Sequence, residues 1–353
     1  MGNKLNLVYI VNSLNVGGAQ IGMERLLYGL DSSTFDITVI ALDGRKRRSL
    51  VNVPEAVNVI KLYPSVFSQP SLFVDALCAL SDADIVVGSM FHSSILAGLY
   101  SAVNEQVTVV IWQHSTVFKT QTRKQIYSQL GSHCDAILAD SMSVKNMLEQ
   151  ETDLANIEVV PIAGINLDDY TQVSHKNKDT ISIGTVGTLR EAKNYPTVLA
   201  VAERLQNSPV EFHIAGDGDL YDDIQDEIDK NGLDNVHMHG FVDDVPKFLS
   251  KLDIYFQPSN FEGLCITVLE AMASGLPVVA SNVGGIKHNV THKTTGLLYS
   301  PSDVSGFVHA IRKLADDPDL RQSYGTNGRD VVLEQYTQDA LVSNFLSVIQ
   351  DYS

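Results

Sequence analysis

Cysteine is scarce: Cys78, Cys134 and Cys265 are far apart in 353 residues and form no C-x-x-C pair. That excludes a disulfide scaffold, argues against a structural zinc site and fits a reducing compartment. Positive charge is also short, with 25 Lys and Arg against 42 Asp and Glu and a net charge of −17. Nucleic acid is therefore not an expected partner, because neutralising phosphates needs net basic surface. Long apolar runs are missing, and no window approaches the roughly 18 residues of a membrane-spanning helix. The N-terminal "MGNKLNLVYIVNSL" has one lysine and a short apolar run interrupted by Asn6. It is too short for a secretory signal, and Asn6 stands where a myristoylation pattern needs Ser or Thr. There is no short-period repeat and no low-complexity tract, and nothing in the composition suggests disorder or collagen. The chain is expected to be cytoplasmic, at most peripheral at the inner face of a membrane. Such contact would run through the one basic run, "RKRRS", Arg45 to Ser49. That run reads equally as a solvated loop or as a patch facing anionic lipid or a phosphate-bearing acceptor.

What is present is a regular alternation. "NLVYIVNSL", "FDITVIAL", "VNVIKLY", "ADIVVGSM", "VTVVIWQH", "DAILADS" and "IEVVPIAG" are short runs rich in Val and Ile. They are not polar at alternate positions, as befits parallel strands covered on both faces. Helical stretches such as "GMERLLYGL" and "MSVKNMLEQ" lie between them. The polar segment 167–180 lacks apolar periodicity, and the pattern then restarts with "ISIGTVGTL", "VEFHIAGDG", "VHMHGFV", "LDIYFQPS", "LPVVASNV" and "GLLYS". The expected fold class is α/β, with two Rossmann-like doubly wound domains facing a central cleft. The first domain would cover residues 1–170, a linker 171–180, the second domain 181–336, and a C-terminal amphipathic helix 337–353. That helix could pack on either domain, including back on the first. In such sheets ligands bind beyond the carboxyl ends of the strands, so the loops there should carry the chemistry.

The stretch "FEGLCITVLEAMASGLPVVA", residues 261–280, holds Glu262 and Glu270 in apolar surroundings. Gly263 is poor inside a helix, so Glu262 should end a loop. The helix should start near Ile266 or Thr267 and run to Ser274, with Gly275 stopping it and Pro277 just beyond. Backbone N–H groups of residues 265–269 would then form an anion site between two carboxylates about 12 Å apart along a helix axis. A carboxylate suits a vicinal diol, so the arrangement can grip a ribose on one side, a sugar on the other and a diphosphate between. Singly, Glu262 reads as a charge favourable to the helix dipole and Glu270 as a solvent-facing residue.

The longer stretch "NFEGLCITVLEAMASGLPVVASNVGG" resembles the donor-binding segment of glycosyltransferase family 4, retaining enzymes of the GT-B fold. The resemblance rests on both glutamates, Gly263, the Glu-Ala-Met-Ala run, Gly275, Pro277 and the Gly284–Gly285 pair. It extends along most of the chain, through "VEFHIAGDGDL", "VHMHGFVDDVPKFLSKLDIYFQPS" and "IEVVPIAGINLDDY". It reaches "VNSLNVGGAQ", where Gln20 replaces an acid of the family's Gly-Gly-Ala-Glu loop. The resemblance implies that Glu262 contacts the donor sugar and Glu270 the ribose hydroxyls. The segment Gly263, Leu264, Cys265, Ile266, Thr267, Val268 and Leu269 would line the distal phosphate, and Gly216, Phe241 and Val242 the remaining donor contacts. Lys193 would neutralise the diphosphate. The family carries an arginine directly after the glycine equivalent to Gly187; here Thr188 stands there, and Arg190 is the candidate replacement.

In the first half, His114 at the end of a strand is a candidate to touch the donor sugar or position the acceptor, with His92 a weaker one. Gly17 and Gly18 follow the first strand and read either as a tight turn or as a close approach to phosphate or sugar. A Gly-x-Gly-x-x-Gly fingerprint is absent, so a dinucleotide site there is not expected. "DAD" and "DGD" are too short to argue for a metal; neither metal nor cofactor is expected, the nucleotide sugar being a co-substrate. The implied activity is retaining transfer of a hexose from a nucleotide diphosphate sugar, UDP-linked by the resemblance, to a glycan or lipid-linked acceptor, as in surface polysaccharide synthesis. A sugar phosphorylase, a nucleotide-sugar epimerase, or a non-catalytic nucleotide-sugar-binding subunit would use the same fold.

Overall fold

A computed structural model describes residues 4–45, 50–63 and 71–352, and of residues 71–73 the backbone only. The chain folds as two compact units, residues 1–164 with 338–353, and residues 165–337.

In the first unit seven strands are β1 (Leu5–Ser13), β2 (Phe35–Asp43), β3 (Asn58–Tyr63), β4 (Ile85–Ser89), β5 (Thr108–Gln113), β6 (Ala136–Ala139) and β7 (Ile157–Val159). All pair in parallel, in the order β3-β2-β1-β4-β5-β6-β7. The Val- and Ile-rich runs are buried along their whole length in β4, β5 and β6, because helices cover both faces. The second unit repeats the scheme with β8 (Ile181–Val186), β9 (Val210–Ala215), β10 (Val236–Gly240), β11 (Ile254–Gln257), β12 (Val278–Ser281) and β13 (Gly296–Tyr299). Its order is β10-β9-β8-β11-β12-β13, again all parallel. Each sheet reverses its winding once, between β1 and β4 and between β8 and β11. Those are the points where an open α/β sheet leaves a crevice beyond its strand ends.

Local signals set the helices. Asp303 and Asp317 cap the helices Val304–Asp316 and Pro318–Gln335, accepting the amides of Gly306 and Leu320 at 2.8 Å each. Gly275, at φ 72°, ends the helix Ile266–Ala273, and the Leu276 amide turns back to the Ala271 carbonyl.

The segment 171–180 is not the linker that its polarity suggests. It lies within the second unit without regular secondary structure, held by scattered polar bonds. The Val173 amide bonds the Ser274 carbonyl, buried His175 meets the Gly275 carbonyl at 2.9 Å, and the fully buried Arg321 donates to the Lys176 carbonyl. Such bonds need no apolar periodicity and leave no trace in hydropathy. Residues 165–170 also belong to the second unit: Ile165 pairs with Thr337, and its amide bonds the Tyr336 carbonyl. The chain therefore passes between units at 164/165 and again at 337/338.

The C-terminal helix Gln338–Tyr352 belongs to the first unit. Phe345 stacks on Trp112, centroids 5.9 Å apart and planes within 5°, and Gln338 donates to the Arg25 carbonyl at 2.7 Å. Of the basic run, Lys46, Arg47 and Arg48 lie outside the described residues. Arg45 pairs with Asp43 at 2.7 Å and covers the Tyr63 ring. Among the described residues no helix is long and apolar enough to cross a membrane.

Strands β9 and β10, at one edge of the second sheet, bring His213, His237 and His239 together; His213 Nδ1 lies 3.1 Å from His239 Nε2. Burial, then the two neighbouring imidazoles, push the His213 pKa down to about 4 from 6.5.

Two outcomes follow from this packing. Trp112 is the single tryptophan, so its fluorescence reports the first unit. Phe345→Ala should lower that unit's stability in urea by about 3–5 kcal/mol, as for other large-to-small changes at fully buried aromatics. Between pH 6.5 and 4 the unfolded chain binds a proton at residue 213 that the folded chain refuses, so acid should destabilise the second unit through that window. In His213→Gln the urea midpoint followed by circular dichroism should fall less steeply from pH 7 to 4.5; an unchanged slope rules out this histidine as a cause.

Candidate functional site

In the second unit the winding reversal sets the loop after β8 beside the loop after β11. The first loop is Gly187 to Lys193, ending in a short turn, Glu191–Lys193. The second is Pro258 to Cys265, leading into the helix Ile266–Ala273. Hydrogen bonds to backbone carbonyls hold the two together. The Asn260 amide donates to the Ala192 carbonyl at 2.8 Å, and Asn194 donates to the carbonyls of Pro258 at 2.9 Å and Pro301 at 3.2 Å. Asn194 sits in the left-handed region at φ 58°, which its short polar side chain tolerates.

This stitching brings Lys193 Nζ to 2.7 Å from Glu262 Oε1, with 8% and 7% of the two residues exposed. Burial works against the Lys193 charge, but the Glu262 carboxylate outweighs it and raises the ammonium pKa above its ordinary value. Lys193 is therefore a permanent cation. Ser259 Oγ donates to the same Glu262 oxygen at 2.8 Å.

Glycines let backbone approach backbone here. A Cβ on Gly284 would overlap the Glu262 carbonyl and one on Gly285 the Gly263 carbonyl; likewise Gly216 faces the Gly187 carbonyl and Gly218 that of Leu189. The Gly284–Gly285 pair and the Gly-Asp-Gly turn thus press on the two loops from either side.

The helix Ile266–Ala273 begins after Cys265, at φ 64° in place of a Ser, Thr, Asp or Asn cap. Leu264, Cys265, Ile266, Val268 and Leu269 are buried, so their side chains belong to the core and the segment can offer a ligand chiefly its backbone amides. Burial pushes the Cys265 thiol up to about 12, so it stays protonated. Glu270 does not face solvent: it is 4% exposed and accepts the Tyr170 hydroxyl at 3.0 Å. Thr188 and Arg190 are exposed, and Arg190 opens the turn that ends in Lys193. Phe241, 40% exposed, and half-buried Val242 follow β10.

In the first unit the corresponding reversal gathers the ends of β1, β4 and β5. His114 Nε2 meets Ser89 Oγ and its Nδ1 meets Asp140 Oδ2, both at 2.8 Å. Both ring nitrogens are thus engaged, and Asp140 fixes the ring's orientation. His92 is exposed and approaches Asn12 at 3.4 Å. Gly17 precedes the helix Gly18–Gly29 with extended backbone, φ −173°, rather than a strained turn. Among the described residues no group of three or more His, Cys, Asp or Glu is arranged to hold a metal ion.

Sequence reasoning missed Tyr170, Gln257, Ser259, Ser89 and Asp140. The one available signal was Gln257, a polar residue closing the apolar strand "IYFQ".

Two family models cover most of the chain: glycosyl transferases group 1 matches residues 168–331, and glycosyltransferase family 4 matches residues 16–168. A Haemophilus influenzae protein described as an uncharacterized glycosyltransferase is 24% identical, over 97% of this chain and 98% of its own. The UDP-Gal:alpha-D-GlcNAc-diphosphoundecaprenol alpha-1,3-galactosyltransferase of Escherichia coli is 25% identical over 82% of each chain. Among solved structures, Anabaena HepE in complex with UDP and glucose is similar with a TM-score of 0.85 at 17% identity, over 98% of this chain and 99% of that one.

Lys193→Met leaves the Glu262 carboxylate buried without its ammonium, which should cost about 3–5 kcal/mol of stability. Lys193→Met with Glu262→Leu should recover most of that loss, because no uncompensated charge remains. Urea denaturation of both variants measures the difference, and a double variant weaker than the single one contradicts the account.

Proposed function

Because this chain belongs to the family 4 glycosyltransferases of the GT-B fold, we propose that it transfers a hexosyl group from a UDP-linked sugar to a hydroxyl of a glycan or lipid-linked acceptor, with retention at the anomeric carbon. The observation that carries the reading is the buried Lys193–Glu262 pair at the start of the helix Ile266–Ala273. The E. coli relative, whose name specifies a UDP-galactose donor and a diphosphoundecaprenol-linked acceptor, supports the choice of substrates.

In this reading the amides of residues 265–269 hold the distal phosphate. Lys193 stabilises the charge that develops there as the bond from the anomeric carbon to the phosphate oxygen breaks. Arg190 is a second cation in the place of the arginine missing at Thr188. Glu262 accepts from hydroxyls of the sugar, and Glu270 from those of the ribose. Gly216, Phe241 and Val242 border the rest of the donor. The acceptor oxygen bonds to the anomeric carbon on the face the phosphate leaves, and its proton passes to the leaving phosphate oxygen. The first unit, through His114, Gly17 and Gly18, binds the acceptor. No cofactor takes part in this scheme. The basic run at Arg45–Arg48 would serve a lipid-linked acceptor at a membrane surface.

Incubation with UDP-glucose, UDP-galactose and UDP-N-acetylglucosamine should release UDP with one of them. Glu262→Gln and Lys193→Ala should each slow that release by at least ~100-fold, comparable to losing one preorganised transition-state donor. Proton NMR of the transferred sugar should show the α configuration of the donor. Parental rates in both variants, or a β product, overturn the residue roles or the retention respectively. Release of a sugar phosphate, or an isomerised donor, identifies a phosphorylase or an epimerase instead.

A further inference from the structure

Behind the Lys193–Glu262 pair runs a line of buried, uncharged polar side chains. Tyr255 Oη lies 2.9 Å from Gln257 Oε1, Gln257 Nε2 lies 2.8 Å from Ser259 Oγ, and Ser259 Oγ lies 2.8 Å from Glu262 Oε1. Thr185 Oγ1 joins at 3.5 Å from Gln257 Oε1. Tyr255, Gln257 and Ser259 are each fully buried, and Thr185 is 3% exposed.

The direction of the hydrogens follows from the charge at the end. A carboxylate only accepts, so Ser259 must donate to Glu262. With its one hydrogen spent, Ser259 must accept from the Gln257 amide nitrogen. The Gln257 oxygen then faces Tyr255 and Thr185, and both donate to it. The Tyr255 hydroxyl also accepts the Val186 amide and lies 3.3 Å from the Val186 carbonyl, but Gln257 and Ser259 each have one available role, and the series ends on one oxygen of Glu262. Lys193 Nζ reaches that same oxygen from the other side at 2.7 Å. Two donors converging on one oxygen fix the plane of the carboxylate as well as its position.

A fully apolar strand end would cost no desolvation of polar side chains. The core has no need of a glutamine at residue 257, because the other residues of β11 are Ile254, Tyr255 and Phe256, all buried. The line therefore answers to Glu262.

We propose that Gln257 and Ser259 are positioning residues that hold the Glu262 carboxylate in one orientation toward the donor sugar, and so set turnover more than donor affinity. This rests on the glycosyl-transfer reading of Glu262. Because the series acts through Ser259, removing Gln257 should matter only while Ser259 is present.

The test uses the full chain and the variants Ser259→Ala, Ser259→Thr, Gln257→Met and the double variant Ser259→Ala/Gln257→Met, with Glu262→Gln as control. UDP affinity by calorimetry should stay within about threefold of the parent in all four, since UDP carries no sugar for Glu262 to grip. The kcat for UDP release from the three UDP-sugars above should fall at least about tenfold in Ser259→Ala and by less in Gln257→Met. Ser259→Thr, which keeps the hydroxyl, should recover most of the loss. The double variant should match Ser259→Ala, whereas purely structural losses would compound. A crystal structure of Ser259→Ala, which needs no substrate, should show the Glu262 carboxylate in a second orientation. Parental kcat in Ser259→Ala beside a slow Glu262→Gln overturns the positioning role alone. Parental kcat in Glu262→Gln overturns the glycosyl-transfer role of Glu262 itself. An unmoved Glu262 in the Ser259→Ala crystal overturns the proposal whatever the kinetics.

Discussion

A lysine and a glutamate taken out of water together constrain most of the second unit. Separately, either charge would be expelled or neutralised; paired at 2.7 Å, each makes the other tolerable. The pair spans 69 positions of sequence, so it forms only if the loops after β8 and β11 meet in one register. The reversal of strand order between those neighbours makes the meeting, and Asn194 and Asn260 lock it. The glycines at 216, 218, 284 and 285 let four stretches of backbone close around it. The buried polar groups are thus embedded in the packing, which is what preorganisation requires.

The first unit solves a similar problem with different chemistry. Its reversal, between β1 and β4, gathers Asn12, Ser89 and His114 at strand ends, and Asp140 at the end of β6 completes the set. Here an imidazole is held between a hydroxyl and a carboxylate, in place of a lysine–glutamate pair. His114 gains a defined orientation, and offering Nε2 to a substrate means giving up Ser89. The C-terminal helix reinforces the same strand, since Phe345 stacks on Trp112, two residues before His114.

Much of this was legible beforehand. The strands of the first unit follow from runs of Val and Ile without polar alternation, the signature of a parallel sheet covered on both faces. Those of the second unit follow from the restart of short apolar runs after residue 180. The helix at 266–273 was legible from Gly263 before it and Gly275 after it. Glu262 and Glu270 stood out because charges are rare in such apolar company, and Lys193 through the family resemblance. The boundary at 164/165 was not legible, nor the embedding of residues 171–180. Those rest on bonds such as His175 to the Gly275 carbonyl, which join residues 100 apart and impose no periodicity.

From the sequence alone came the succession of strand and helix segments along the chain, its restart in a second half and the charged residues at the loop tips, all of which depend on neighbours along the chain. Tertiary structure alone decided that Lys193 neutralises Glu262 directly, that Tyr170 reaches Glu270, and that Gln257 and Ser259 stand behind the carboxylate. The reason is geometric: a hydrogen bond is satisfied within about 3 Å in space, and distance along the chain places no limit on which residues the strand order brings that close.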